Sequence, residues 1–216
     1  MDEKMKKCTA VAALCALAYI ATAVGRIPLV LFLKYDPKDV VIAVGGLHFG
    51  PWIAGAVALI ASLLEMFTLS ETGFLGFVMN VISSCSFACT AARIHKNRRT
   101  LWGAAAGIAC GWACMVSAML LWNVWVSPIY MGYPREAVVQ LLLPAFLPFN
   151  LTKGGLNATL TMLLYKPVAA ALQQTSRIQT PDTQKTWRST GIVRTVLLIL
   201  AACVLLILCV QEVMRV

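Results

Sequence analysis

Long apolar runs, separated by short segments that carry nearly all of the charge, restrict this chain more than any other feature. The longest covers 28 residues, 40–67, and others occupy 8–24, 74–93, 101–126, 140–165 and 192–210. A hydrocarbon core about 30 Å thick takes roughly 20 apolar residues per helical crossing. An all-α, polytopic membrane bundle follows. Composition agrees: 60% of residues are hydrophobic, 12% are charged and the mean hydropathy is +0.79, outside the range of a water-soluble domain. Six or seven crossings use up 216 residues and leave no room for a separate soluble domain.

The formal charge of +9 does not point to nucleic acid, because the cations are not grouped with exposed aromatics on one segment. They lie between the apolar runs, where they act as topology signals. The run 40–67 is interrupted by Gly45-Gly46 and by Gly50-Pro51, which break a helix. Two crossings, a short helix at 40–47 and a longer one at 51–69, keep the basic segment 93–99 on the same side as the basic N-terminus. Further helices are predicted at 74–93, 101–126 and 140–165. With the N-terminus cytoplasmic, the inner segments hold Lys4, Lys6, Lys7, Arg93, Lys96, Arg98, Arg99, Lys166, Arg177, Lys185, Arg188 and Arg194. The outer ones hold only Arg26, Lys34, Lys38, Arg135 and Arg215. Twelve against five obeys the positive-inside rule.

The organisation read from this is a six-helix membrane domain at 1–172, a polar cytoplasmic linker at 173–191 and an additional C-terminal transmembrane helix within 192–216, which leaves the C-terminus outside. The run 8–24 ends in Ala21-Thr22-Ala23, which imitates a signal-peptidase site, but it is long for a signal's apolar region and reads as helix one. The eight cysteines sit in or beside apolar runs, none in a Cys-x-x-Cys pair. Neither a disulfide nor a zinc site is predicted, and small residues at close helix contacts explain them.

One strongly cationic side chain, Lys153, falls near the middle of a span. A central lysine costs roughly 2.5–3.5 kcal/mol on insertion scales, so it faces a cavity or a partner. Asn150, Lys153 and Asn157 share a helix face by their spacing. Pro144 and Pro148, just before them, remove backbone donors and disturb the outer half of that helix. Asn80 and Asn123 are further intramembrane amides. Glu65 and Glu71 lie near an outer end, where they read as solvated carboxylates. Trp102, Trp122, Trp125, Tyr130 and Tyr133 suit an interfacial aromatic belt, with Trp122 and Trp125 also able to wall a pocket. Helix one is rich in alanine, and Ala12/Ala16 and Thr9/Ala13 supply small-xxx-small spacing. No phosphate-binding Gly-x-x-x-x-Gly-Lys-Ser/Thr motif is present, no acidic cluster shows in the spans, and His48 and His95 stand far apart. The chain does not read as an enzyme.

A set of motifs in shared order is similar to the riboflavin-specific substrate-binding subunits of energy-coupling factor (ECF) vitamin importers. They are Phe32-Leu33-Lys34-Tyr35-Asp36-Pro37-Lys38-Asp39; Gly45-Gly46 with Phe49-Gly50-Pro51; Thr72-Gly73 with Gly76 and Asn80; Asn123 with Pro128-Ile129-Tyr130; and Leu147-Pro148-Phe149-Asn150-Leu151-Thr152-Lys153-Gly154. The resemblance spans the first six helices; the seventh lies beyond it. It implies a plasma-membrane subunit that captures riboflavin from outside, beneath the loop after helix one. Asn123, Asn150 and Lys153 would hydrogen-bond the flavin edge or the ribityl hydroxyls, and Leu31 and Leu33 would cover the rings. Asn80, Asn157, Tyr35 and Asp36 complete the expected substrate-binding set. Riboflavin is then cargo, with no resident cofactor. The implied partners are a membrane coupling subunit, docked on helix one at Ala12 and Ala16, and two cytoplasmic ATPases.

On the residues alone other readings stay open. One is a subunit of the same kind for another vitamin or modified base. Another is a stand-alone secondary transporter, although paired halves or mid-membrane coupling carboxylates, its usual signs, are not evident.

Overall fold

The computed structural model describes residues 3–30, 33–70, 73–132 and 134–175. The expected helix at 192–210, and the linker beyond residue 175, lie outside the described residues. The chain forms α1 (Glu3–Gly25), strands β1 (Ile27–Val30) and β2 (Leu33–Tyr35), α2 (Lys38–Phe49), α3 (Pro51–Thr68), α4 (Gly73–Asn97) and α5 (Leu101–Trp125). Two short helices follow, α6 (Ser127–Met131) and α7 (Arg135–Gln140), then a π-turn at Leu142–Phe146 and a final described helix, α8 (Leu147–Thr175). Among the described residues six helices reach twelve residues or more, as the six-helix reading expects.

The loop after α1 is an antiparallel hairpin, with Ile27 opposite Tyr35, Pro28 opposite Lys34 and Val30 opposite Leu33. A two-stranded ribbon has only edge strands, so Pro28 forfeits no central ladder bond. Helix α2 begins two residues earlier than expected. Pro37 stands at its N-cap with helical φ, and Asp39 enters the first turn, where the helix N-terminus favours an anion. The helix stops at Gly50, whose φ of +102° is open to glycine and costly for other residues. Pro51 then occupies the first turn of α3, a position that needs no N–H donor. Two separate helices therefore occupy 40–67.

Helix α2 lies at the centre, packed on α1, α3, α4 and α8, and nine of its twelve residues are buried. Its neighbours α4 and α5 approach closely. A Cβ at Gly107 would come within 2.6 Å of the Ala91 carbonyl oxygen, and one at Gly111 would clash with that of Phe87. This small-residue seam was not foreseen, although Gly103-xxx-Gly107-xxx-Gly111 is plain in the sequence. The outer surface is apolar: Leu17, Ile20, Leu59, Leu63, Phe67, Leu121, Leu143 and Leu164 are all exposed. In water such a surface would aggregate; in lipid it is the solvated face. Helices α1, α3, α4 and α5 are each long and apolar enough to cross a membrane.

The disturbance expected from Pro144 and Pro148 takes a definite form. Pro144 lies within the π-turn, and α8 restarts at Leu147 with Pro148 in its opening turn, where the missing N–H is tolerated. Along α8, Asn150, Thr152, Lys153, Asn157, Thr159 and Thr161 are all buried, while Leu163 and Leu164 face outward. Polar residues inside and leucines outside is the inverse of a soluble helix.

Candidate functional site

Three helices meet around Asp39, which is 0% exposed. Its Oδ2 accepts from the Lys153 ammonium of α8 at 3.4 Å and from Asn157 Nδ2 at 3.2 Å. Its Oδ1 accepts from Ser84 Oγ of α4 at 2.5 Å. Lys153 also donates to Ser83 Oγ at 3.4 Å. The central lysine therefore has a carboxylate partner, brought by α2 from more than a hundred residues away. Two further carboxylates, Asp36 and Glu65, come from the hairpin's end and α3, a convergence that scanning one segment at a time cannot reveal.

A second set of charges adjoins the first. Arg26, just past α1, donates through Nε to Asp36 at 2.8 Å, through Nη1 to the Leu69 carbonyl at 3.1 Å, and through Nη2 to Glu65. Lys38 pairs with Glu65 and lies 4.0 Å from Asp36. Glu65 is 1% exposed, so the expected solvated carboxylate is instead the bridge between two cations. Burial disfavours the charge on Asp36, but Lys38, Lys153 and Arg26 together outweigh it and hold its carboxyl below the usual range. Burial pushes the Tyr35 phenol up, and Asp39 and Asp36 push it further. Three cations face three carboxylates, which is how a low-dielectric interior can hold charge at all.

The other expected site residues are placed as follows. Asn150 lies one turn before Lys153, is buried, and donates to the Phe146 carbonyl at 2.8 Å. Asn80 is buried on α4, one turn before Ser83 and Ser84. Asn123 is buried near the end of α5, where its Oδ1 accepts from Ser127 at 2.9 Å. Tyr35 is buried and Asp36 is in ion pairs. Leu31 lies outside the described residues, and Leu33 is in β2. Ala12 and Ala16 are exposed on α1. Trp125 is exposed, with Arg135 over its ring at 4.7 Å, while Trp122 packs against the core. Sequence reasoning missed Asp39, Lys38, Ser83, Ser84 and the buried role of Glu65. The first two sit in the quoted motif ending at Asp39, and Ser83/Ser84 follow Asn80 at helical spacing.

Tyr35 Oη, Asn157 Oδ1 and Trp122 Nε1 are buried with no hydrogen-bond partner among the described residues. A polar group left so costs about 1–3 kcal/mol, which a polar guest would recover. At the other end of α2, His48 and His95 both pack on Tyr165, at centroid distances of 5.2 and 5.5 Å, so residues remote in sequence form one cluster. Among the described residues no group of three His, Cys, Asp or Glu could hold a metal ion.

Residues 6–165 match the family model of the ECF transporter substrate-specific component. This chain is an ECF substrate-specific (S) component. A curated relative, the riboflavin transporter RibU of Staphylococcus aureus (strain TCH60), is 25% identical over 182 residues, covering 80% of this S component and 95% of the relative. A solved structure of the S component of a bacterial ECF transporter superposes with a TM-score of 0.67 at 26% identity, over 79% of this chain and 99% of that one. ThiT from Listeria monocytogenes, at 13% identity, shares the fold with a TM-score of 0.50 over 82% and 97% of the two chains. The S component is thus a membrane protein and the substrate-recognising part of a transporter, not an enzyme.

Proposed function

We propose that this S component binds riboflavin inside the helix bundle and presents it to an energy-coupling module for ATP-driven uptake. The observation that carries the reading is the buried row Asn150, Lys153 and Asn157 on α8, with Lys153 reaching Ser83 of α4 at 3.4 Å, within an apolar bundle. A few placed polar groups in an oily enclosure suit a planar, amphipathic solute with carbonyl and hydroxyl edges. The likeness to a riboflavin transporter over 95% of that relative's length directs the choice of solute. Asn123, Tyr35, Asp36, Leu31 and Leu33 complete the proposed contact set.

The proposed orientation places the N-terminus in the cytoplasm of a multi-pass plasma-membrane protein, with the hairpin and the Arg26–Asp36 pair at the outer end. Ala12 and Ala16 lie on an exposed, small-residue face of α1, as docking against a membrane coupling subunit requires. Two cytoplasmic ATPases would supply the energy.

The full chain, purified in detergent, should bind riboflavin in a titration followed by flavin fluorescence, and should carry flavin absorption when isolated from cells. The double variant Asn150→Ala, Lys153→Ala should lose affinity tenfold or more, at about 1–3 kcal/mol per charged or amide contact. A folded chain that binds another vitamin but no flavin would overturn the reading.

A further inference from the structure

We infer that Asp39 is a positioning residue for the site: it keeps Lys153 charged and aimed at the substrate, acting through the lysine and touching no substrate itself. The inference rests on the riboflavin reading above. Both oxygens of Asp39 are already engaged, Oδ1 by Ser84 and Oδ2 by Lys153 and Asn157. An ammonium has three N–H donors. Lys153 directs two of them to Asp39 and Ser83, which leaves one for a guest. Asp39 is fully buried and has its place because it sits in the first turn of α2, the central helix, where the N-terminal dipole favours a carboxylate.

The charged groups around Lys153 make Asp39 the deciding one. Asp39 of α2, Asp36 of the segment before it and Glu65 of α3 act on Lys153; Lys38 and Arg26, just past α1, pair with Asp36 and Glu65, and the Tyr35 phenol lies by Asp39 and Asp36. Helix α4 offers the hydroxyls of Ser83 and Ser84, and α5 has no charged side chain. Asp36 and Glu65 are already shared between Arg26 and Lys38. Without Asp39 the cluster holds three cations against two carboxylates. Arg26 keeps its proton under all ordinary conditions and Lys38 remains bonded to Glu65, so Lys153 is the group that would lose one. A buried lysine without a counter-ion titrates as much as roughly 3–5 units low.

The test is riboflavin affinity of the full chain in detergent from about pH 6 to about pH 9, a window below the ordinary lysine value of about 10.4. The native chain should bind equally across it. Asp39→Asn should bind tenfold or more weakly and lose further affinity as pH rises, because Lys153 becomes neutral. Adding Lys153→Arg to Asp39→Asn, which makes the cation permanent, should restore a flat profile. Asp39→Asn with native affinity, or with weakened affinity and a flat profile, would overturn the inference. If the native chain binds no riboflavin, the flavin reading fails and ¹⁵N-lysine NMR decides the inference separately, with the Lys153 signal assigned from Lys153→Arg. That signal should report a charged ammonium at about pH 9 in the native chain and a neutral amine in Asp39→Asn. Should Asp39→Asn not fold, the native signal alone decides: a charged Lys153 supports the inference, and a neutral one defeats it.

Discussion

Replacing Glu65 by alanine removes the carboxylate that bridges Arg26 and Lys38, and the two cations feel the loss unequally. Arg26 is about one-fifth exposed and keeps Asp36 at 2.8 Å, so water and that partner cover it. Lys38 is 1% exposed and, among the described residues, keeps only Asp36 as a counter-ion, at 4.0 Å. Breaking a buried pair by removing one partner costs about 3–5 kcal/mol; the residual Asp36 attraction places this case near the lower end. On the scale of soluble proteins of 150–250 residues, where each kcal/mol moves the midpoint about 2–4 °C, a loss of about 3 kcal/mol lowers it by roughly 6–12 °C. Thermal unfolding of the detergent-purified chain measures this directly. The double variant Lys38→Met, Glu65→Leu should recover most of the loss, since swapping a buried pair for apolar groups of similar volume is often neutral. A Glu65→Ala midpoint within about 2 °C of native, or a double variant no better than the single, would refute the reasoning.

Gly107→Leu should prevent accumulation of folded chain, because even its Cβ would meet the Ala91 carbonyl at 2.6 Å; detergent gel filtration reads the outcome. The pH dependence of stability follows from Asp36, whose carboxyl is held below its ordinary value. A depressed folded value gives stability that is complete above the unfolded value of about 3.9 and is lost as pH falls through the folded one. The melting temperature should therefore hold from neutrality to about pH 4 and then drop, and Asp36→Asn should lessen that drop. Ala12→Trp and Ala16→Trp, on the exposed face of α1, should leave riboflavin binding intact and abolish uptake in cells expressing the module.

Much of this architecture is written in one dimension. The breaks at Gly50-Pro51 and Pro144, the helix lengths and the inward row of α8 follow from residues within a few positions of each other, because helix periodicity and backbone sterics act locally. The charge partners do not. Lys153 and Asp39 are 114 positions apart, and Glu65 looked solvated because nothing near it in sequence shows that α1 and α2 would cover it with Arg26 and Lys38. Lys38 and Asp39 read as loop because their charge outweighed the helix-starting value of Pro37. The α4–α5 seam was legible in the spacing of Gly103, Gly107 and Gly111, but not which helix would fill it. The hairpin was legible only as the loop after helix one, since short ribbons carry little periodicity.

Helix α2 is about 18 Å long, at 1.5 Å per residue, against a hydrocarbon thickness of about 30 Å. From Phe49 back to Asp39 the rise is about 15 Å, half the width of the oily layer. If the Gly50 end rests at one lipid boundary, near exposed Trp52, the carboxylate is carried to the midplane. Twelve residues of backbone thus work as a depth gauge: they set how deep the Asp39 carboxylate stands, and one added turn would lift it about 5 Å past the lysine that it serves.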